Sequence, residues 1–152
     1  MVSEQTIDKI VGLLETADFE QEVAHFSAKQ PALIAYLFNE DFELLTQDER
    51  AFMLYLTIVI YKSIEDEKGH IPPVKEINLE ATEERNWTLL ENVTAKRFRD
   101  RITIFFEKTT QEDLLAFIED ALTDDEDKLI TPEGREPIFV ALKSIVDEVT
   151  KV

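Results

Sequence analysis

The chain has 152 residues, of which 33 are acidic and 16 basic, so its formal net charge at pH 7 is -17. Nucleic acids and anionic lipids bind proteins through Lys and Arg, and this composition therefore argues against either as a partner. Cysteine is absent, which excludes thiolate catalysis, disulfide bonds and Cys-based zinc sites. The length suits one domain over residues 1–152. Because the first residues lack the apolar core of a secretory signal, we expect a cytoplasmic protein.

Apolar residues recur at helical spacing through the N-terminal part of the chain. Positions i, i+3, i+4 and i+7 lie on one face of a helix, and an apolar repeat at this spacing indicates a buried face. The predicted inner faces are Ile7, Ile10, Val11 and Leu14; Phe19, Val23 and Phe26; and Leu33, Ile34, Leu37 and Phe38. We expect Asp18 to be the N-cap of the second helix and Pro31 to open the third.

The strongest helix pattern begins at Thr46. Thr46 and Glu49 fit a capping box, in which each side chain accepts a hydrogen bond from a free backbone amide at the helix start. Residues 51–61 are apolar on nearly every side, and charged residues follow until Gly69, which suits a helix terminator. A helix that is apolar all round must be surrounded by other helices, so we expect this one to be central. Its apolar stretch is too short to cross a bilayer.

Four further helices are expected after a loop at residues 69–76, which contains Pro72-Pro73. Helical spacing returns over residues 79–93. Residues 94–108 fit a helix or a strand, and we favour a helix because a single strand has nothing to pair with. Two strong helices close the chain, the first capped by Thr110 and the second entered through Pro137. The linker between them contains Asp124-Asp125-Glu126-Asp127, which does not fit an EF-hand calcium loop and is interpreted as solvated.

Together these elements predict an all-α fold. The chain contains only three Gly and five Pro, too few for the turns of a β-sandwich or barrel. No linker rich in Gly, Ser or Pro divides the chain into domains. We therefore expect a single compact bundle or array of about seven to eight short to medium helices around the central one.

Each of the two histidines follows a glutamate by three residues, at Glu22 and His25 and at Glu67 and His70. Residues three apart share a helix face, and two such pairs with further glutamates hold the metals of ferritin-like bundles. Gly69 interrupts the second pair, so all four residues are only weak metal-ligand candidates. Nucleophile motifs and phosphate-binding glycine loops are absent, and we expect no cofactor.

Most of the local positive charge lies in the run Lys96-Arg97-Phe98-Arg99-Asp100-Arg101. One interpretation is an internal counter-charge, in which these cations pair with neighbouring acidic helices. The other is a docking site for a carboxylate-rich or phosphorylated partner, which the planar guanidinium group suits. On a helix, Arg97 and Arg101 would share a face, whereas Lys96 and Arg99 would point elsewhere.

We predict a non-enzymatic protein–protein interaction or adaptor module that acts through its helix faces. Its expected partner is another protein or a second copy of the chain. Candidate contact residues are Lys96, Arg97, Arg99, Arg101 and Trp87; the last would form a rigid surface if the Pro72-Pro73 loop packs beside it. The alternative is a carboxylate/His metal-binding protein or a metal-dependent hydrolase. Bound metal and a melting temperature that falls with chelator would distinguish this alternative.

Overall fold

The structure, a computed structural model, describes residues 1–124 and 129–151. Within these residues the fold is all-α and contains no strand, which confirms the predicted fold class. The helices are α1 (Glu4–Thr16), α2 (Phe19–Lys29), α3 (Pro31–Leu37), α4 (Gln47–Lys68), α5 (Glu76–Glu91), α6 (Phe98–Phe106), α7 (Glu112–Thr123) and α8 (Pro132–Val149). A 3₁₀ turn at Glu40–Phe42 lies between α3 and α4. None of the described helices has the length and apolar character needed to span a membrane.

Helices α4 and α8 form the centre of the bundle. Helix α4 packs against α1 and α8, and α8 also contacts α5 and α7. The five consecutive residues 138–142 of α8 are 0% exposed, so neighbours surround this part of the helix on all sides. The sequence indicated only α4 as central, because the first turns of α8 carry the charged residues Glu133, Arg135 and Glu136.

Four predicted helix ends are confirmed, the first of which is Pro31 as the opening residue of α3. The Asp18 carboxylate accepts a hydrogen bond from the Gln21 amide at 3.3 Å, as an N-cap does. Thr46 and Glu49 make both bonds of a capping box, at 2.8 and 3.0 Å. Gly69 ends α4 with a φ of 86°, in the left-handed region that glycine enters without steric cost.

Two local predictions are wrong because the helices concerned have different ends from those expected. Phe38 is 68% exposed; it is the C-cap of α3, and the turns that follow leave its side chain outside the core. The N-cap of α7 is Gln111 instead of Thr110, and no side chain caps this helix.

Helix α8 begins earlier than predicted. Its N-cap is Thr131 and its first residue is Pro132, so Pro137 lies inside the helix. A proline lacks the amide that would bond to the carbonyl four residues earlier. That carbonyl belongs to Glu133, an exposed residue of the first turn, where water can replace the lost bond.

Residues 98–106 form α6, which confirms the preferred interpretation of the ambiguous segment. Ile102 and Phe105 are 0 and 3% exposed and face the core. A helix satisfies its backbone hydrogen bonds internally, whereas a lone strand would leave them unpaired. Of the predicted acidic linker, Asp124 is the C-cap of α7, and Asp125 to Asp127 lie outside the described residues.

A buried glutamine fixes the Pro72-Pro73 loop to the bundle. Gln30 is 0% exposed, and its Nε2 donates to the carbonyl oxygens of Pro72 at 3.0 Å and Ile71 at 3.4 Å. Its Oε1 accepts from the Val74 amide at 2.8 Å. Buried backbone groups need partners, and here one side chain supplies them for a segment that cannot be helical. The loop is therefore a fixed part of the fold.

Candidate functional site

The Arg101 side chain forms all its contacts within the domain. Its Nε and one terminal nitrogen each donate to a carboxylate oxygen of Glu136 at 3.0 Å. The other terminal nitrogen donates to the carbonyl oxygens of Val93 at 3.1 Å and Ala95 at 3.0 Å. The hydrogen bond to Glu136 raises the pKa of Arg101. Because every arm of the guanidinium is in use, Arg101 links α6, α8 and the segment before α6, and it is not free to bind a partner.

Arg99 is a partly satisfied cation at the surface. Its side chain is 50% exposed, and it donates to Glu119 at 2.8 Å. It also donates to the Thr123 hydroxyl at 2.5 Å and lies 3.6 Å from Asp124. Exposed pairs of this kind contribute little to stability. Arg99 therefore joins α6 to α7 weakly, and its exposed half remains accessible.

The side chains of Lys96 and Arg97 are exposed and make no hydrogen bond or ion pair with any residue that the structure describes. The run was expected to lie on one helix, with Arg97 and Arg101 on the same face. Instead α6 begins at Phe98, and Arg97 is its N-cap with extended backbone. The prediction placed the helix start too early because no Ser, Thr, Asp or Asn lies directly before Phe98 to mark the start as an N-cap. The charge run thus separates into Arg101, whose guanidinium is fully hydrogen-bonded, and Lys96 and Arg97, whose side chains have no partner among the described residues.

Another cation near this run is Arg135, which lies on α8. It lies in the first turn of α8, and its Nε is buried without a hydrogen-bond partner in the described part of the chain. Together with Arg97 and Arg99 it lines an open cleft of about 450 Å³, which we call the arginine cleft. The other lining residues are Phe98, Asp100, Thr123 and Asp124. Sequence reasoning missed Arg135, because no local pattern connects it with the run.

Of the four weak metal-ligand candidates, the two glutamates bond to other protein groups and the two histidines are exposed. Glu22 pairs with Lys62 at 2.9 Å, and Glu67 accepts from a backbone amide at the start of α1 at 2.8 Å. His25 and His70 are both exposed. Among the described residues, no group of three or more His, Cys, Asp or Glu side chains could hold a metal ion. The metal-binding alternative therefore has no assembled ligand set in this part of the chain.

Trp87 is half-buried and packs against the core. It lies eleven residues after Glu76, the first residue of α5, which corresponds to about 16 Å along the helix axis. The Pro72-Pro73 loop precedes Glu76 and is held by Gln30. The tryptophan and the loop are thus placed towards opposite ends of α5, which gives no support to a shared surface.

A cluster of carboxylates surrounds a buried tyrosine between α3 and α5. The Tyr36 hydroxyl donates to Glu83 at 2.6 Å. Burial raises the pKa of Glu83, the Tyr36 hydrogen bond opposes this rise, and the charges of Asp41 and Glu80 add to it. None of these three carboxylates forms an ion pair with a cation among the described residues. The cluster is therefore a patch of negative charge that no cation in the described part of the chain neutralises.

Three large exposed apolar side chains lie close in sequence to the carboxylates of this cluster. Phe38 and Leu44, three residues on either side of Asp41, are 68 and 97% exposed. Ile77, one helical turn before Glu80 on α5, is 73% exposed. We call this surface the acidic apolar face; it consists of Phe38, Asp41, Leu44, Ile77, Glu80 and Glu83.

A second cleft, of about 390 Å³, lies between α5, α6 and α8 and includes Leu89, Phe105, Lys143 and Asp147. Lys143 Nζ lies 2.6 and 2.7 Å from the two carboxylate oxygens of Asp147. The same ammonium group lies 5.7 Å from the centre of the Phe105 ring. Because Lys143 and Asp147 neutralise each other, this cleft is a poorer candidate for a charged ligand than the arginine cleft.

No protein-family model, curated protein or solved structure matches this chain. Its function is therefore argued from its own side chains. The arginine cleft and the acidic apolar face each carry charged side chains that have no ion-pair partner among the described residues.

Proposed function

We propose that this protein is a cytosolic, non-enzymatic protein–protein interaction module that binds a basic, apolar segment of a partner on the acidic apolar face. The observation that carries the proposal is the exposure of three large apolar side chains around three carboxylates that have no described counter-ion. A partner that supplies apolar groups and cations would satisfy both features at once.

The apolar contribution comes from Phe38, Leu44 and Ile77. Burying a side chain of this size is worth about 1.5–3 kcal/mol relative to leaving it in water. The rest of the core buries its Leu, Ile and Phe residues almost completely, so three such exposed groups on one surface are a cost that a bound partner would remove. Aromatic and large apolar residues are also typical of the centre of protein interfaces.

The charge of the face selects the kind of partner. The raised pKa of Glu83 means that the folded protein disfavours its ionised form, and a Lys or Arg from a partner would relieve this. A second copy of the chain would bring another net charge of -17 against the same surface, and like charges facing each other oppose association. A basic partner is therefore favoured over self-association on this face.

Site-specific photo-crosslinking tests the proposal. A benzophenone amino acid is placed at Leu44 in one variant and at Leu13, which lies on α1 and is 55% exposed, in a control. In lysate of the host cells, we expect an adduct at Leu44 and not at Leu13. Mass spectrometry should show that the attached segment is apolar and rich in Lys and Arg. Replacing Asp41 and Glu80 with Asn and Gln should reduce the yield several-fold, because the charge attraction is lost.

The outcomes separate the possibilities. An adduct with twice the mass of the chain would identify a second copy and contradict the basic-partner assignment. Equal adducts at Leu44 and Leu13 would show nonspecific contact, and no adduct at either position would count against the interaction function itself.

A pH-dependent prediction concerns Glu83. Its folded-state pKa is raised, so the folded state is disfavoured by ionisation, and this penalty develops as the pH rises through the unfolded and then the folded pKa. Glu83→Gln should therefore raise the melting temperature at pH 7 by about 1–3 °C while keeping an acceptor for Tyr36. The gain should vanish at low pH, where Glu83 is protonated in both states. Thermal melts from pH 4 to 8, with exposed Glu84→Gln as the control, measure it.

A further inference from the structure

We infer that the arginine cleft binds a phosphate monoester, and that its physiological ligand is a phosphorylated side chain of a protein. This site is independent of the acidic apolar face. Helix α5 has 16 residues and is about 24 Å long; it separates Ile77, near its start, from the segment that leads to Arg97.

The first observation that supports the inference is that two arginines have donor groups without an acceptor among the described residues. In a chain with 33 acidic and 16 basic residues, most cations find an intramolecular partner at little cost. The Arg97 side chain has none among the described residues, and the buried Nε of Arg135 has no acceptor among those same residues. A buried donor without an acceptor costs about 1–3 kcal/mol, and more when the group is charged. An anion that enters the cleft would remove this cost.

The arrangement of the donors favours a phosphate group over a carboxylate. The arginines that line the cleft belong to two separate elements, the start of α6 and the first turn of α8. A tetrahedral phosphate presents three oxygens to forks from different sides, whereas a carboxylate presents two in one plane. The first turn of α6 also lines the cleft, and Arg97 makes no side-chain cap bond there, so backbone amides remain available to an anion.

The charges that line the cleft favour a ligand that carries few negative charges. Among the described residues that line the cleft, three are arginines, Arg97, Arg99 and Arg135, and two are carboxylates, Asp100 and Asp124. Arg99 is also paired with Glu119, so the charges of these described groups are close to balanced. The domain as a whole carries -17, so a nucleic acid with many phosphates would be repelled by the surrounding surface. One phosphate on a protein chain fits this balance, and its affinity should fall with added salt.

NMR titration of the full chain tests the inference, because each arginine Nε–H gives its own signal. The probes are inorganic phosphate, a capped phosphoserine and glutarate, at constant ionic strength. We expect saturable shifts of the Arg97 and Arg135 signals, with a Kd for capped phosphoserine of about 1 mM or tighter. Glutarate should bind about tenfold more weakly because it lacks the tetrahedral group.

Matched variants locate the site. Arg97→Gln and Arg135→Gln should each weaken capped phosphoserine at least about fivefold, while Lys75→Gln, an exposed cation before α5, should leave its Kd unchanged. Arg135→Lys keeps the charge but loses the fork, and should recover less than half of the lost affinity. Asp100→Asn should tighten binding about threefold, because a repelling carboxylate is removed. Thermal melts confirm that each variant is folded.

Several results would overturn the inference. Equal binding of glutarate and phosphoserine would make this a carboxylate site. Tighter binding of inorganic phosphate than of capped phosphoserine would assign the cleft to free phosphate instead of a modified protein. A nonsaturable shift that chloride also produces would indicate an adventitious ion only. A Kd that none of the Arg97 and Arg135 variants changes would place phosphate elsewhere on the molecule.

Discussion

Gly134→Ala should lower the free energy of unfolding by about 3 kcal/mol, although it replaces a helical glycine with the best helix former. A Cβ at position 134 would lie 1.9 Å from Glu49 Oε2 and 2.7 Å from its Cδ. Glu49 is 2% exposed, and this oxygen accepts from the Thr131 amide at 3.0 Å and its hydroxyl at 2.8 Å. The carboxylate must move away and lose those bonds, which leaves buried donors and a buried charge unsatisfied.

Gly12→Ala is the matched control. Gly12 lies in the middle of α1, and nothing comes within 4 Å of a Cβ added there. This substitution should raise the free energy of unfolding by about 0.5–1 kcal/mol, because alanine has less conformational freedom to lose. Urea denaturation of both variants therefore gives changes of opposite sign for the same chemical substitution. Two changes of the same sign would contradict the steric account of Gly134.

A double-mutant cycle tests the mechanism. In a Glu49→Ala background the clash partner is absent, so Gly134→Ala should cost less than about 1 kcal/mol. The pH dependence provides a second check. Burial alone would raise the pKa of Glu49, but hydrogen bonds from Thr46 and Thr131 outweigh burial and lower it. The stability that Glu49 contributes is therefore present above its unfolded pKa and lost as the pH falls through its folded pKa. The difference between wild type and Gly134→Ala should shrink over the same range.

Local features of the fold followed from sequence because they depend on neighbouring residues. The Asp18 cap, the Thr46 and Glu49 capping box and the Gly69 terminator each involve groups within a few positions of one another. Phe38 fits the apolar spacing of α3, yet it is exposed because α3 ends one residue earlier. A helix end that no capping residue marks is set by tertiary packing, which a local pattern does not contain.

The candidate sites show the same limit more strongly. Charge density alone identified Arg97, Arg99 and Arg101, but their different roles depend on residues far along the chain. Arg101 is neutralised by Glu136, and Arg97 gains a neighbour in Arg135. Glu136 and Arg135 are consecutive residues of α8. Glu136 forms the ion pair with Arg101, whereas Arg135 lines the cleft together with Arg97. No spacing rule connects α6 to α8, so only the fold could assign them.

Arg101→Gln should lower the free energy of unfolding by about 3 kcal/mol, whereas Arg97→Gln should change it by less than about 0.5 kcal/mol. Arg101 is 23% exposed and Glu136 is 26% exposed, so water screens this pair only partly. Loss of the guanidinium leaves the Glu136 carboxylate and the Val93 and Ala95 carbonyl oxygens without their donor. The Arg97 side chain has no such partners among the residues that the structure describes.

Urea denaturation and the phosphoserine titration together separate the two interpretations of the charge run. The internal counter-charge role predicts that Arg101→Gln destabilises the fold, and that Arg101→Lys recovers only part of the loss, because an ammonium cannot reproduce the fork. The docking role predicts that Arg97→Gln leaves stability intact and weakens phosphate binding. Equal losses of stability in both variants would indicate that the whole charge run has a structural role. A loss of stability in Arg101→Gln, together with a loss of phosphate binding but not of stability in Arg97→Gln, would show that the segment stabilises the fold through Arg101 and binds a ligand through Arg97.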